Sequence, residues 1–171
     1  MRMNYEEIYN KGKKYEEFLA EQREEDKEVL EGNYKKLTVS RELIDKIKEI
    51  SRHLHVLVFA EGWCPDCQVN LPVLRKMVDI SGKLDMRILP RSGNEDIMEP
   101  FYIDGKPKIP TFVFLNKDFE IIGMWIERPD VVKKLLSDED EDKATIAKMD
   151  YLDLKYSEET IKEILEVLNI S

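Results

Sequence analysis

Cysteine is scarce in this chain of 171 residues: there are two, Cys64 and Cys67. That excludes a disulfide framework, because two cysteines three positions apart cannot staple distant parts of a chain. In a reducing compartment such a pair is reactive rather than structural. Histidine is equally scarce, with only His53 and His55. No apolar run approaches the roughly 20 residues of a membrane-spanning helix. The opening stretch, Met1 to Glu7, lacks the apolar segment of a secretion signal. These absences predict a cytoplasmic protein with no membrane partner. An excess of Lys and Arg is also missing, since the net charge is −9, and nucleic-acid binding needs such an excess. There is no internal repeat.

What is present is a chain that is 42% hydrophobic and 37% charged, enough for one compact core under a heavily charged surface. The acidity lies in the flanks. Residues 1–34 carry 6 basic and 10 acidic groups, and residues 137–171 carry 4 and 11. The stretch between them, 35–136, carries 17 basic and 15 acidic groups and is close to neutral. We therefore divide the chain into an N-terminal extension, 1–34, and a main domain, 35–171.

Periodicity orders the elements. Tyr5, Ile8, Gly12, Tyr15 and Leu19 share a helical face, predicting one long N-terminal helix that Gly32-Asn33 ends. Ser40 caps a second helix with the stripe Leu43, Ile47, Ile50 and Leu54. His55 to Ala60 reads as a buried strand, Gln68 to Val78 as a helix ending near Gly82, and Leu84 to Leu89 as a further strand. Asn94 begins a short helical turn before Pro100. Phe112 to Leu115 and Phe119 to Ile126 form a hairpin. Pro129 opens another helix, and Ser157 caps the last one. The acidic run Ser137 to Asp142 reads as a solvated loop or helix edge; the glycine and ligand spacing of an EF-hand are missing. The pattern predicts an α/β fold, a mixed sheet flanked by helices.

The two cysteines sit where that strand gives way to that helix, in Trp63-Cys64-Pro65-Asp66-Cys67. Backbone N–H groups and the positive end of a helix dipole stabilise a thiolate at a helix start. The thiolate is the reactive species in disulfide exchange. Cys64 is read as the attacking thiol and Cys67 as the resolving one.

Three matches make the chain resemble the thioredoxin superfamily. Trp63-Cys64-Pro65-Asp66-Cys67 is similar to its Trp-Cys-x-x-Cys site. Pro72 stands where that family has a helix-kinking proline, and Ile109-Pro110-Thr111 is similar to its Ile-cis-Pro-Thr segment. The resemblance covers roughly residues 38–136 and the last helix, so the N-terminal helix is an addition to the minimal fold. It implies thiol-disulfide oxidoreductase activity with Cys64 and Cys67 as the catalytic pair and no cofactor beyond their redox-active disulfide. It places Trp63, Ile109, Pro110 and Thr111 along the substrate groove, with the backbone beside Pro110 bonding an extended substrate. The implied partners are a disulfide-containing protein or a small-molecule disulfide, and an upstream reductase or low-molecular-weight thiol as electron donor.

The departures are specific. The buried acid that thioredoxins carry six residues before the first cysteine is Val58 here, and Glu61 (or water) is the substitute proton acceptor that the segment offers. Pro65-Asp66 replaces Gly-Pro between the cysteines; Asp66 suits a helix N-terminus but repels a thiolate at Cys64, so the sequence gives no net direction. Cys-Pro is also a glutaredoxin feature, and the whole Trp-Cys-Pro-Asp-Cys site resembles a cytosolic thioredoxin-related subgroup. The helical extension resembles that of a bacterial thioredoxin-like branch. Gly123-Met124-Trp125-Ile126-Glu127-Arg128 stands where thioredoxins have glycines, and its bulk predicts a narrower groove around Trp125 and Arg128.

Two other readings compete with the enzyme. The long charged helix and acidic flanks suit a protein-interaction module whose dithiol is a redox switch. A zinc site would take Cys64 and Cys67 with His53 and His55, but alternation along the strand lets only one histidine face the dithiol. No metal is expected.

Overall fold

The computed structural model describes residues 2–170. At its centre is a sheet of four strands, β1 (Leu54–Phe59), β2 (Leu84–Leu89), β3 (Thr111–Leu115) and β4 (Ile121–Ile126), in the order β2-β1-β3-β4. β1 runs parallel to β2 and antiparallel to β3, which forms the hairpin with β4. The burial of each strand follows its place. Val56, Leu57, Val58 and Phe59 of β1 are all fully buried, as a central strand covered on both faces requires. β2 alternates, with Leu84, Met86 and Ile88 inward and Asp85 exposed.

The crossover from β1 to β2 is the helix of Pro65–Ser81, which packs against the helix Glu24–Lys36, the helix Arg41–Lys48 and the last helix, Ser157–Val167. In chain order the helices are α1 (Tyr5–Lys11), α2 (Tyr15–Ala20), α3 (Glu24–Lys36), α4 (Arg41–Lys48), α5 (Pro65–Ser81), α6 (Glu95–Met98), α7 (Asp130–Leu136), α8 (Glu141–Leu152) and α9 (Ser157–Val167). Ser40 caps α4 by accepting from Leu43 N, and Gly82, at φ 64°, closes α5 in the left-handed conformation that glycine adopts without cost. α7 and α9 begin within one residue of their predicted starts.

The N-terminal region departs from expectation: three helices replace the single long one. Between α1 and α2 the chain turns to meet the sheet, and Lys13 exchanges both backbone hydrogen bonds with Ile88 on the outer edge of β2, each 2.8 Å. Gly12 permits this approach, since a Cβ there would lie 2.7 Å from Arg87 Cβ. Tyr9, Tyr15, Phe18 and Leu30 are buried in the same core as the sheet.

α3 also runs through the expected stop at Gly32-Asn33. Pro72 lies inside α5 and has no N–H, so the carbonyl four residues earlier, Gln68 O, loses its helical partner. Asn33 Nδ2 donates to that carbonyl at 2.9 Å. The asparagine that reads as a helix stop is a helix-to-helix tie.

The acidic run is divided. Asp140 caps α8 by accepting from Asp142 N and Lys143 N, and α8 itself has no counterpart in the sequence reading.

Candidate active site

The end of β1 leads through Ala60-Glu61-Gly62-Trp63 into α5, with Cys64 as its N-cap and Pro65 as its first residue. Proline suits that position, where an N–H would go unused. Cys64 N donates to Glu61 O and Cys64 O accepts from Gln68 N, which fixes the turn. The extension braces it from behind. Gln68 Nε2 donates to Gly62 O at 2.9 Å and to Asp26 Oδ1 at 3.3 Å, and the side chain of Gln22 lies where a Cβ on Gly62 would be.

The two thiols, both reduced, are unequal. Cys64 is 7% exposed and Cys67 fully buried. The Cys67 thiol and N–H hydrogen-bond to the Cys64 sulfur and bring its pKa down to about 7, against the opposing effects of burial and Asp66. Burial, then the hydrogen bond and charge of Cys64, push Cys67 well above the ordinary thiol value. One sulfur titrates near neutrality while the other keeps its proton there.

The Ile109–Pro110 peptide is cis, and Ile109 O lies 3.9 Å from Cys64 Sγ. Pro110 O is taken by Glu127 N at 2.8 Å, and Thr111 Oγ1 donates to Lys108 O at 2.7 Å. Ile109 and Thr111 are buried. Trp63, next to Cys64 in the chain, is 52% exposed, with the Arg91 guanidinium 5.7 Å from its ring centre.

The remaining expected residues fall as follows. The Glu61 carboxylate accepts from Ser92 N at 3.4 Å, and it is the Glu61 backbone that hydrogen-bonds Cys67. Val58 is buried, so the space that would hold a family acid is apolar. Of the two residues expected to narrow the groove, Trp125 and Arg128, Trp125 turns its ring into the core. Trp125 is buried, stacks on Phe112 and donates to Glu163 Oε1 at 2.8 Å. Gly123 serves close packing against α9, since a Cβ there would lie 2.5 Å from Val167 Cγ1. His53 and His55 lie at the opposite end of β1 from the cysteines, with His55 stacked on Phe119 at 4.5 Å. The zinc arrangement is therefore not assembled, and among the described residues no cluster of His, Cys, Asp and Glu is placed to hold a metal.

Sequence reasoning missed the residues that hold Asp66. Arg128 Nε and Nη2 donate to its two carboxylate oxygens at 2.8 and 3.1 Å, and Tyr151 OH donates to Oδ1 at 2.8 Å. Asn70 Nδ2 donates to Tyr151 OH at 2.9 Å and also bonds Asp66 O and Glu127 O, while its Oδ1 accepts from Thr160 Oγ1. The available signal was Asn70, a polar residue in an otherwise apolar stretch of α5.

A strand-helix junction bearing a dithiol opposite a cis-proline on a mixed sheet defines the class. The thioredoxin family model matches residues 12–145, and the chain belongs to that family. No curated protein matches it. Among solved structures, a protein of unknown function from Pseudomonas aeruginosa superposes with a TM-score of 0.85 at 23% identity, over 98% of each chain. An HIV epitope-scaffold superposes with a TM-score of 0.84 at 22% identity, over 99% of each. At these identities the likeness is one of fold. The family supports a redox role, and no helix among the described residues is long and apolar enough to cross a membrane.

Proposed function

We propose that this protein is a thiol-disulfide oxidoreductase that reduces disulfides through Cys64 and Cys67. The observation that carries the reading is the inequality of the pair: Cys64 is the more exposed and more acidic, Cys67 buried and protonated. The Cys64 thiolate attacks one sulfur of the substrate disulfide, forming a mixed disulfide and expelling the other sulfur as a thiolate. That thiolate, or water, takes the Cys67 proton. Cys67, now a thiolate, attacks Cys64 Sγ, the Cys64–Cys67 disulfide forms, and the second substrate sulfur leaves as a thiolate that takes a proton from solvent. Two electrons pass to the substrate and are restored by a partner reductase or a low-molecular-weight thiol.

Substrate contacts fall to Trp63 and to the backbone around Ile109, Pro110 and Thr111. A reducing compartment such as the cytoplasm suits this direction of flow. The test is turnover driven by dithiothreitol, with a protein disulfide and cystine as alternative substrates. Cys64-dependent reduction of either is expected, and Cys67→Ser is expected to accumulate the mixed disulfide. Reduction that persists in Cys64→Ser, or a Cys67→Ser variant that accumulates no mixed disulfide, would overturn the reading.

A further inference from the structure

Asp66 is an acid placed between two cysteines, where its charge opposes the thiolate at Cys64. Its carboxylate is only 14% exposed and is held by three donated hydrogen bonds. Arg128, from the segment after β4, supplies a planar fork that meets both oxygens. Tyr151, from α8, adds its hydroxyl to Oδ1 and is itself fixed by Asn70. Burial, and secondarily Asp66, raise the Tyr151 pKa, so the phenol stays a donor at any pH where the protein works.

We propose that Arg128 and Tyr151 are positioning residues that clamp and neutralise the Asp66 carboxylate, so that Cys64 forms its thiolate despite an acid two residues away. The inference rests on the thiol-disulfide reading and names what regulates the acidity of that site. An ion pair presents less field to a third group than a lone carboxylate does, so the guanidinium offsets part of the repulsion that Asp66 exerts at Cys64, where Asp66 still opposes the thiolate. The clamp also explains why α8 is attached to the domain at this point: its buried Tyr151 reaches the first turn of the site helix.

The experiment measures Cys64 thiolate formation in the reduced full-length protein. Its readouts are ultraviolet thiolate absorbance and the rate of iodoacetamide alkylation against pH, and thermal stability is followed in parallel. The variants are Arg128→Met, Arg128→Lys, Tyr151→Phe, Asp66→Asn and the double variant Asp66→Asn/Arg128→Met. Arg128→Met is expected to lower the thiolate fraction, below the pKa, by about three- to tenfold. Arg128→Lys is expected to recover part of that loss. In the Asp66→Asn background the same Arg128→Met change is expected to alter the fraction by less than about twofold, because no carboxylate remains to neutralise.

An equal effect in both backgrounds would mean that Arg128 acts on the thiolate directly and would overturn the clamp. A fall in stability with an unmoved pH profile would overturn it too. If Arg128→Met does not fold, Tyr151→Phe carries the test: its profile must shift the same way, and only while Asp66 is present. A wild-type Cys64 of ordinary thiol acidity would overturn the reductase reading along with this one. An acidic Cys64 indifferent to Arg128 and Tyr151 would overturn this one alone.

Discussion

Asn33 supplies to Gln68 O the hydrogen bond that Pro72 cannot. A side chain on the N-terminal extension thus repairs a backbone defect in the helix that carries the dithiol. Asn33→Leu is expected to destabilise the protein by about 1–2 kcal/mol, since it removes a side-chain bond to a carbonyl inside a packed helix. In a Pro72→Ala background the residue-72 N–H is restored and the same substitution is expected to cost markedly less. Urea denaturation of the four proteins in this cycle measures the coupling. Additive losses would show that Asn33 acts elsewhere.

The unequal thiols give the reduced protein a pH-dependent stability. The Cys64 pKa falls on folding from 9.0 to about 7, so the unfolded chain binds the extra proton between those values. Stability from this group is therefore absent below about pH 7, grows from pH 7 to 9 and is complete above 9. Cys67 is raised on folding, so its contribution is present below pH 9 and is lost as pH rises beyond it. Relative to Cys64→Ser, the reduced wild type is expected to gain stability between pH 7 and 9. Denaturation midpoints under reducing conditions check this, and a flat difference would contradict it.

The polar chain behind the site has a buried end. Thr160 and Asn70 are both fully buried, and Thr160 Oγ1 donates to Asn70 Oδ1 at 2.9 Å. Thr160→Val keeps the shape and removes the donor, leaving that oxygen unpaired at a cost of about 1–3 kcal/mol. Thermal denaturation measures it. Cys64 alkylation is expected to change little, because the Arg128 fork on Asp66 is untouched.

Much of this was legible in the sequence because the signals were local. The β-rich runs became β1, β2 and the hairpin, and the cysteines fell at the strand-helix junction. Where a residue's role depended on a distant partner, local rules misread it. Gly12 looked like one position on a helical face, but it is where the chain bends to reach Arg87 and Ile88. Gly32-Asn33 looked like a stop because Pro72 lies 39 positions away from Asn33 in sequence. Trp125 read as surface bulk, yet its ring stacks on Phe112 and its N–H finds Glu163 on α9. α8 went unseen because its large apolar residues Ile146, Met149 and Leu152 are exposed and blur the narrow inward face of Ala147 and Tyr151. Tyr151, the residue of α8 that reaches the dithiol helix, is 85 positions from Asp66, and no short-range pattern links them.

The pairing of Lys13 with Ile88 bears on how copies of this protein meet one another. An outer strand with unsatisfied backbone groups is an invitation to a neighbour's strand. Here the chain answers β2 with its own residue and lays two short helices alongside. The N-terminal segment thereby acts as a guard rail, covering a flank of the sheet that would otherwise present its backbone groups to solvent.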